Sequence, residues 1–113
     1  MNGKSQSAVV IGEESLLVHG AQAWLERGHT IALVLTDDRE VAVWAERSGL
    51  RVASRDADVA ALVRAGAVDW VLSLANDRGI PDEVRACASR GVVHYHDGPH
   101  PRFAGVYPTT WAI

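Results

Sequence analysis

Short apolar runs alternate along the chain with longer stretches in which apolar residues recur every three or four positions. Residues 8–12 (AVVIG) form a continuous apolar run, the pattern of a strand buried on both faces. Leu16, Leu17, Ala21, Trp24 and Leu25 then recur at helical spacing. Ser15 is placed to cap that helix, and Gly28 stands where a left-handed residue would end it. Residues 30–35 (TIALVL), rich in β-branched side chains, read as a second buried strand.

The unit then returns in looser form. Asp37 or Asp38 is an N-cap, Val41, Trp44 and Ala45 make a helical stripe, and Gly49 closes it. Residues 50–54 are a brief third strand, residues 56–66 a short helix ending at Gly66, and residues 69–75 a fourth strand. Pro81 suits the first position of a helix that runs to Gly91, and residues 92–96 (VVHYH) make a fifth strand. Strands of this length alternating with helices predict βαβ units: one α/β domain with a doubly wound parallel sheet, Rossmann-like in the broad sense. Residues 1–7 form a polar leader expected to be disordered, and residues 8–113 form the domain.

Composition narrows the class. The chain of 113 residues is long enough for a single core and too short for two. A net charge of -3 provides no footprint for nucleic acid or an anionic membrane surface. The longest apolar run is too short to span a bilayer, and the leader has no apolar segment of a secretory signal. Cys87 is the single cysteine, so no intrachain disulfide forms, which fits a reducing compartment; a cytoplasmic protein is expected.

In doubly wound sheets ligands bind beyond the carboxyl ends of the strands. Those ends supply residues 12–15, 36–38, 75–80 and 96–105. The first loop holds Gly12 alone, followed by Glu13 and Glu14, whereas a dinucleotide fingerprint needs three glycines and no repelling charge; a nicotinamide or flavin site is disfavoured. His94, His96 and His100 invite a metal, but no accompanying carboxylate pattern of a known metal class is present, and none is assigned. His19 and His29 are ordinary surface or turn residues; Trp24, Trp44 and Trp70 are core; Cys87 is an apolar filler in a helix. The segment HDGPHPRFAG is different, because two prolines, two glycines, Arg102 and Phe103 make an irregular loop at the functional edge.

That segment carries a resemblance. HYHDGPHPRFAG resembles the Asn-x-His-x-x-x-x-Pro-x-x-x-Gly signature of folate-dependent formyltransferases, which use 10-formyltetrahydrofolate, and PTTWAI resembles the start of the helix after it. VVIGEESLLVHGAQAWLERGHTIALVLTDD, VWAERSGLRV and DWVLSLANDRGIPDEV are similar to the formyltransferase N-terminal domains fused to peptide-synthetase and polyketide-synthase assembly lines. The resemblance implies the Rossmann-like formyltransferase N-terminal fold, truncated after about five strands. It places His96 at the catalytic histidine and His94 at the family asparagine. It also implies that Leu74, Ala75, Asn76, Arg78, Gly79, Ile80 and Pro81 line the pteridine pocket, and that Asp97, Pro101, Arg102, Phe103 and Gly105 border the acceptor side.

Two departures shape the expected function. Histidine replaces an asparagine whose amide donates to the oxyanion of the tetrahedral intermediate, and loss of one such donor costs about 100- to 1000-fold in rate. The catalytic aspartate that follows the signature in the family has no counterpart before Ile113. Formyl transfer needs an acceptor for the amine proton, so catalysis by this stretch alone is not expected. The expectation is a formyltransferase-like domain of a nonribosomal peptide or polyketide system, acting in binding, docking or dimerisation. The alternative is 10-formyltetrahydrofolate-dependent formyl transfer to an amine of an assembly-line intermediate, with the remaining part supplied elsewhere. A sheet ending after its fifth strand should leave an edge, and the apolar, aromatic stretch from Val106 to Ile113 is expected to meet a second copy or an assembly-line protein.

Overall fold

A computed structural model of the chain describes residues 4–76, 78–95 and, by their backbone, 105–107. The elements run β1 (Ser7–Gly12), α1 (Glu14–Glu26), β2 (Thr30–Leu35), α2 (Arg39–Arg47), β3 (Val52–Ala53), α3 (Val59–Leu62), β4 (Val68–Leu74), α4 (Asp82–Arg85), β5 (Ala88–Tyr95) and β6 (Gly105–Tyr107). The strand order is β3-β2-β1-β4-β5-β6. The first five strands are parallel, and β6 runs antiparallel to β5. This is a compact α/β domain with a five-stranded parallel sheet of the general Rossmann-like kind.

The apolar strand runs are explained by burial on both faces. Along β1, Ala8 and Val10 pack with Leu17 and Ala21 of α1 and Val41 and Ala45 of α2. Val9 and Ile11, pointing the other way, pack with Val59 of α3 and Val84 of α4. Alternate side chains of a strand face opposite sides, so a strand covered by helices on both has no polar phase. Each fully buried valine, leucine or isoleucine of this set contributes about 1.5–3 kcal/mol.

Helix ends follow the expected chemistry in part. Gly28 takes φ 89° just after α1, and its amide donates to the Leu25 carbonyl at 2.9 Å. Asp38 caps α2, its Oδ1 accepting from the amides of Glu40 at 2.9 Å and Val41 at 3.4 Å. Ser15, by contrast, lies inside α1, whose N-cap is Glu13. The orphan amide of Glu14 donates to Asp38 Oδ2 at 2.9 Å, so one carboxylate serves the starts of two helices.

Three other boundaries differ from the sequence pattern. β1 takes in Ser7, assigned above to the leader; its amide donates to Asp69 Oδ2 at 2.9 Å, and Gln6 donates to His29 Nδ1 at 3.0 Å. The helix expected over residues 56–66 is the single turn α3, because Val63 turns extended (φ -140°, ψ 126°) and enters the core. The helix expected from Pro81 to Gly91 is likewise the single turn α4, and Ala88 already pairs with Val68. Parallel ladder bonds outcompete a helix there, since Ser, Cys and Gly are weak helix formers. Cys87 is accordingly not in a helix; it sits buried in the core where the chain enters β5, and burial pushes its thiol pKa up.

The sheet also continues beyond five strands. Tyr107 pairs with Val92, Val106 with Val93 and Gly105 with His94, so the chain's own backbone extends the sheet past β5. Residues 108–113 of the expected contact segment lie outside the described residues. Trp24, Trp44 and Trp70 pack half-buried against the core, as expected. Among the described residues no helix is long and apolar enough to cross a membrane.

Candidate functional site

The strand order reverses between β1 and β4, and the carboxyl ends of β1 to β5 converge around that point. Gly12, the last residue of β1, lies so close to Leu74 of β4 that a Cβ there would sit 1.7 Å from the Leu74 carbonyl oxygen. This contact directs Glu13 across the sheet edge, where its amide donates to that same carbonyl at 3.2 Å.

Four strand ends are stitched together by charge. Arg55, just beyond β3, is almost wholly buried (side chain 5% exposed) and places Nη1 3.6 Å from Glu13 Oε2. Its Nη2 donates to Asn76 Oδ1 at 2.7 Å. Arg78 pairs with Asp37 at 3.3 Å and with Glu13 at 4.0 Å, and its amide donates to Asn76 Oδ1 at 3.3 Å. Thr36 donates its hydroxyl to Glu13 Oε1 at 3.3 Å.

The titrations follow from these contacts. The Arg55 amide, with the Arg78 guanidinium and the Ser54 hydroxyl, holds Asp37 below the usual carboxylate range. The Glu14 amide, with those of Val41 and Glu40, does the same for Asp38. Burial, and next the neighbouring Arg78, lower the Arg55 pKa. Arg55 Nη1 is buried with no hydrogen-bond acceptor among the described residues. Such a guanidinium forfeits hydration that its ion pair only partly restores.

These carboxylates also bear on the dinucleotide question. A Rossmann pyrophosphate sits on the free amides at the start of the first helix. Here the Glu14 amide is taken by Asp38, and Glu13 stands beside it, so the position is filled by the protein's own negative charge.

Beside this network a pocket of about 360 Å³ opens, lined by Asn76, Arg78, Gly79, Ile80, Arg85, Val92 and His94. Val92 and Ile80 provide an apolar floor; Arg78 and Arg85 provide positive charge; Asn76 and His94 provide directed polar edges. The described lining residues include no carboxylate. The size falls at the lower end of small-molecule sites, roughly 300–1,000 Å³. A ligand fitting it is partly apolar and carries acceptor or anionic groups.

Compared with models of known protein families and with curated proteins, the chain matches none.

Several residues singled out in the sequence meet here. Asn76, Arg78, Gly79 and Ile80 come from the β4–α4 connection, and His94 comes from β5 beside it. Leu74 and Ala75 contribute to the frame rather than the lining: Leu74 contacts Gly12, and Ala75 takes φ 52° to turn the chain off β4. Pro81 is the N-cap of α4, one residue outside the position expected for it. Gly105 lies in β6 opposite His94. His96, Asp97, His100, Pro101, Arg102 and Phe103 lie outside the described residues.

Sequence reasoning missed Ser73, Arg55 and Arg85. Ser73 is fully buried, and the signal for it was a lone hydroxyl in the apolar run VLSLA. Arg55 had a topological signal only, its place just after the third strand. Arg85 had none, since an arginine on a helix is usually a solvated one.

Proposed function

We propose that this domain binds a reduced folate at the carboxyl edge of its sheet, in the manner of a formyltransferase N-terminal domain. Its described residues supply recognition rather than a complete transfer apparatus. The observation that supports this reading is the pocket itself: Asn76, Arg78, Gly79 and Ile80, which match the family's pteridine-lining segment, share it with His94, which stands where the family has asparagine. A pteridine offers an apolar face to Val92 and Ile80 and ring acceptors to the polar edge, while Arg78 and Arg85 suit the glutamate carboxylates of the folate tail. The reading as a binding domain, rather than a self-sufficient transferase, is supported by His94 standing where the family has an asparagine whose neutral amide donates to the oxyanion. An assembly-line setting, with formyl transfer completed by residues elsewhere, is the corresponding proposal for the whole system.

Isothermal titration of the full chain with 5-formyltetrahydrofolate tests this. Saturable one-to-one binding is expected for the native chain. Gly79→Trp should abolish it without unfolding the protein, because an added Cβ at Gly79 meets nothing within 4 Å and the indole would fill the pocket. No heat of binding at millimolar ligand, or equal binding by Gly79→Trp, sinks the proposal.

A further inference from the structure

We infer that Arg55, Asn76 and Ser73 form a hydrogen-bond chain of fixed polarity that holds His94 as the neutral tautomer with its proton on Nε2. Whatever His94 Nε2 meets, protein or ligand, it meets as a donor, so its partner there must offer an acceptor atom. The inference concerns the pocket wall and stands whether or not the occupant is a folate.

The polarity is dictated from one end. A guanidinium and a backbone amide can only donate. Arg55 Nη2, at 2.7 Å, and the Arg78 amide, at 3.3 Å, both point at the same atom of the Asn76 side chain, which is therefore the carbonyl oxygen. The Asn76 amide nitrogen must then face Ser73, and it donates to Ser73 Oγ at 3.1 Å. Ser73 is fully buried, and its Oγ has two partners among the described residues, Asn76 Nδ2 and His94 Nδ1. Since the first donates to it, the single hydroxyl proton goes to the second, 2.8 Å away. His94 Nδ1 thus accepts, and a neutral imidazole that accepts at Nδ1 carries its proton on Nε2.

The opposite arrangement is penalised. With a proton on His94 Nδ1, Ser73 Oγ would accept twice, and its own buried proton would have no acceptor among the described residues. The geometry is also rigid. Ser73 and His94 are cross-strand partners in the β4–β5 register, and Asn76 lies three residues past Ser73, pinned by Arg55 from beyond β3. Positive charge at the far end of the chain polarises each bond in the same direction.

Two-bond proton–nitrogen correlation spectra of the full chain carrying ¹⁵N-histidine test this, with His94 assigned by the signals lost in His94→Asn. At neutral pH the expected pattern for His94 is an unprotonated Nδ1 and a protonated Nε2 as a single dominant form. Asn76→Asp replaces the donor facing Ser73 by an acceptor. The new carboxylate accepts the hydrogen bond of the Ser73 hydroxyl, Ser73 Oγ must then accept from His94, and the imidazole proton should move to Nδ1. Ser73→Ala cuts the chain and should give a mixture of both tautomers. A wild-type spectrum with Nδ1 protonated overturns the inference, and so does a folded Asn76→Asp protein that keeps the Nε2–H pattern. If Asn76→Asp does not fold, an undiminished Nε2–H form in Ser73→Ala overturns it. A Ser73 that merely filled space would move none of these signals.

Discussion

Replacing Gly12 by alanine should be far more damaging than the loss of a glycine's flexibility, and a second glycine provides the control. Gly12 ends β1 with φ 151°, and a Cβ built there lies 1.7 Å from the Leu74 carbonyl oxygen and 2.7 Å from its carbon. Both are backbone atoms of β4, the strand paired with β1 in register, so relief requires parting the two central strands of the sheet. Gly28 also has positive φ, 89°, but nothing lies within 4 Å of its Cβ position. Gly28→Ala therefore measures backbone strain alone, about 1–2 kcal/mol. Gly12→Ala adds overpacking, about 1–3 kcal/mol or more, and loss of the hydrogen bond from the Glu13 amide to Leu74, about 1 kcal/mol. The total, roughly 3–6 kcal/mol, consumes much of the stability of about 5–15 kcal/mol usual for such a domain. Urea unfolding followed by circular dichroism, extrapolated linearly to water, reads both variants. The reasoning fails if Gly12→Ala unfolds at a urea midpoint no lower than that of Gly28→Ala.

The charged edge of the sheet supports two further predictions. Arg55→Met should lower stability by about 2–4 kcal/mol, because it leaves Glu13 without its buried partner, whereas Arg78→Met, with a side chain 61% exposed, should cost under about 1 kcal/mol; urea midpoints in the reverse order would refute this ranking. The pKa values of Asp37 and Asp38 are both lowered in the fold from 3.8, so the stability they contribute is present above about pH 4 and is lost as pH falls through their folded values. The urea midpoint should thus drop on acidification below pH 4, and Asp38→Asn should flatten that drop; an Asp38→Asn curve parallel to wild type counts against the double helix cap.

Much of this fold was legible because its strands are buried on both faces. A run such as AVVIG or TIALVL has no polar phase, and helices with apolar stripes between such runs leave few architectures open. Gly28 and Asp38 were legible for a related reason: their roles depend on neighbours a few residues away. The two one-turn helices were not. Residues 86–91 carry nothing that forbids a helix, and only the nearby start of β4 turns Ala88 into a strand residue. The same holds for Ser15, whose capping role passes to Glu13 and Asp38 because the end of β2 lies beside the start of α1.

The candidate site divides along the same line. The rule that ligands bind beyond the carboxyl ends of the strands placed residues 75–80 at the functional edge, and the family resemblance named Asn76, Arg78, Gly79, Ile80 and His94, which the fold gathers around one pocket. Pattern alone could not join Asn76 to Arg55 or His94 to Ser73, because each of those contacts spans 21 residues in sequence and exists only through the packed sheet. The amino-acid order by itself determined which segments hide from water and which lie at the sheet's edge, since burial follows periodicity. Tertiary structure alone decided which polar atom faces which, since a hydrogen bond depends on ångström-scale distance and direction that only the packed sheet imposes.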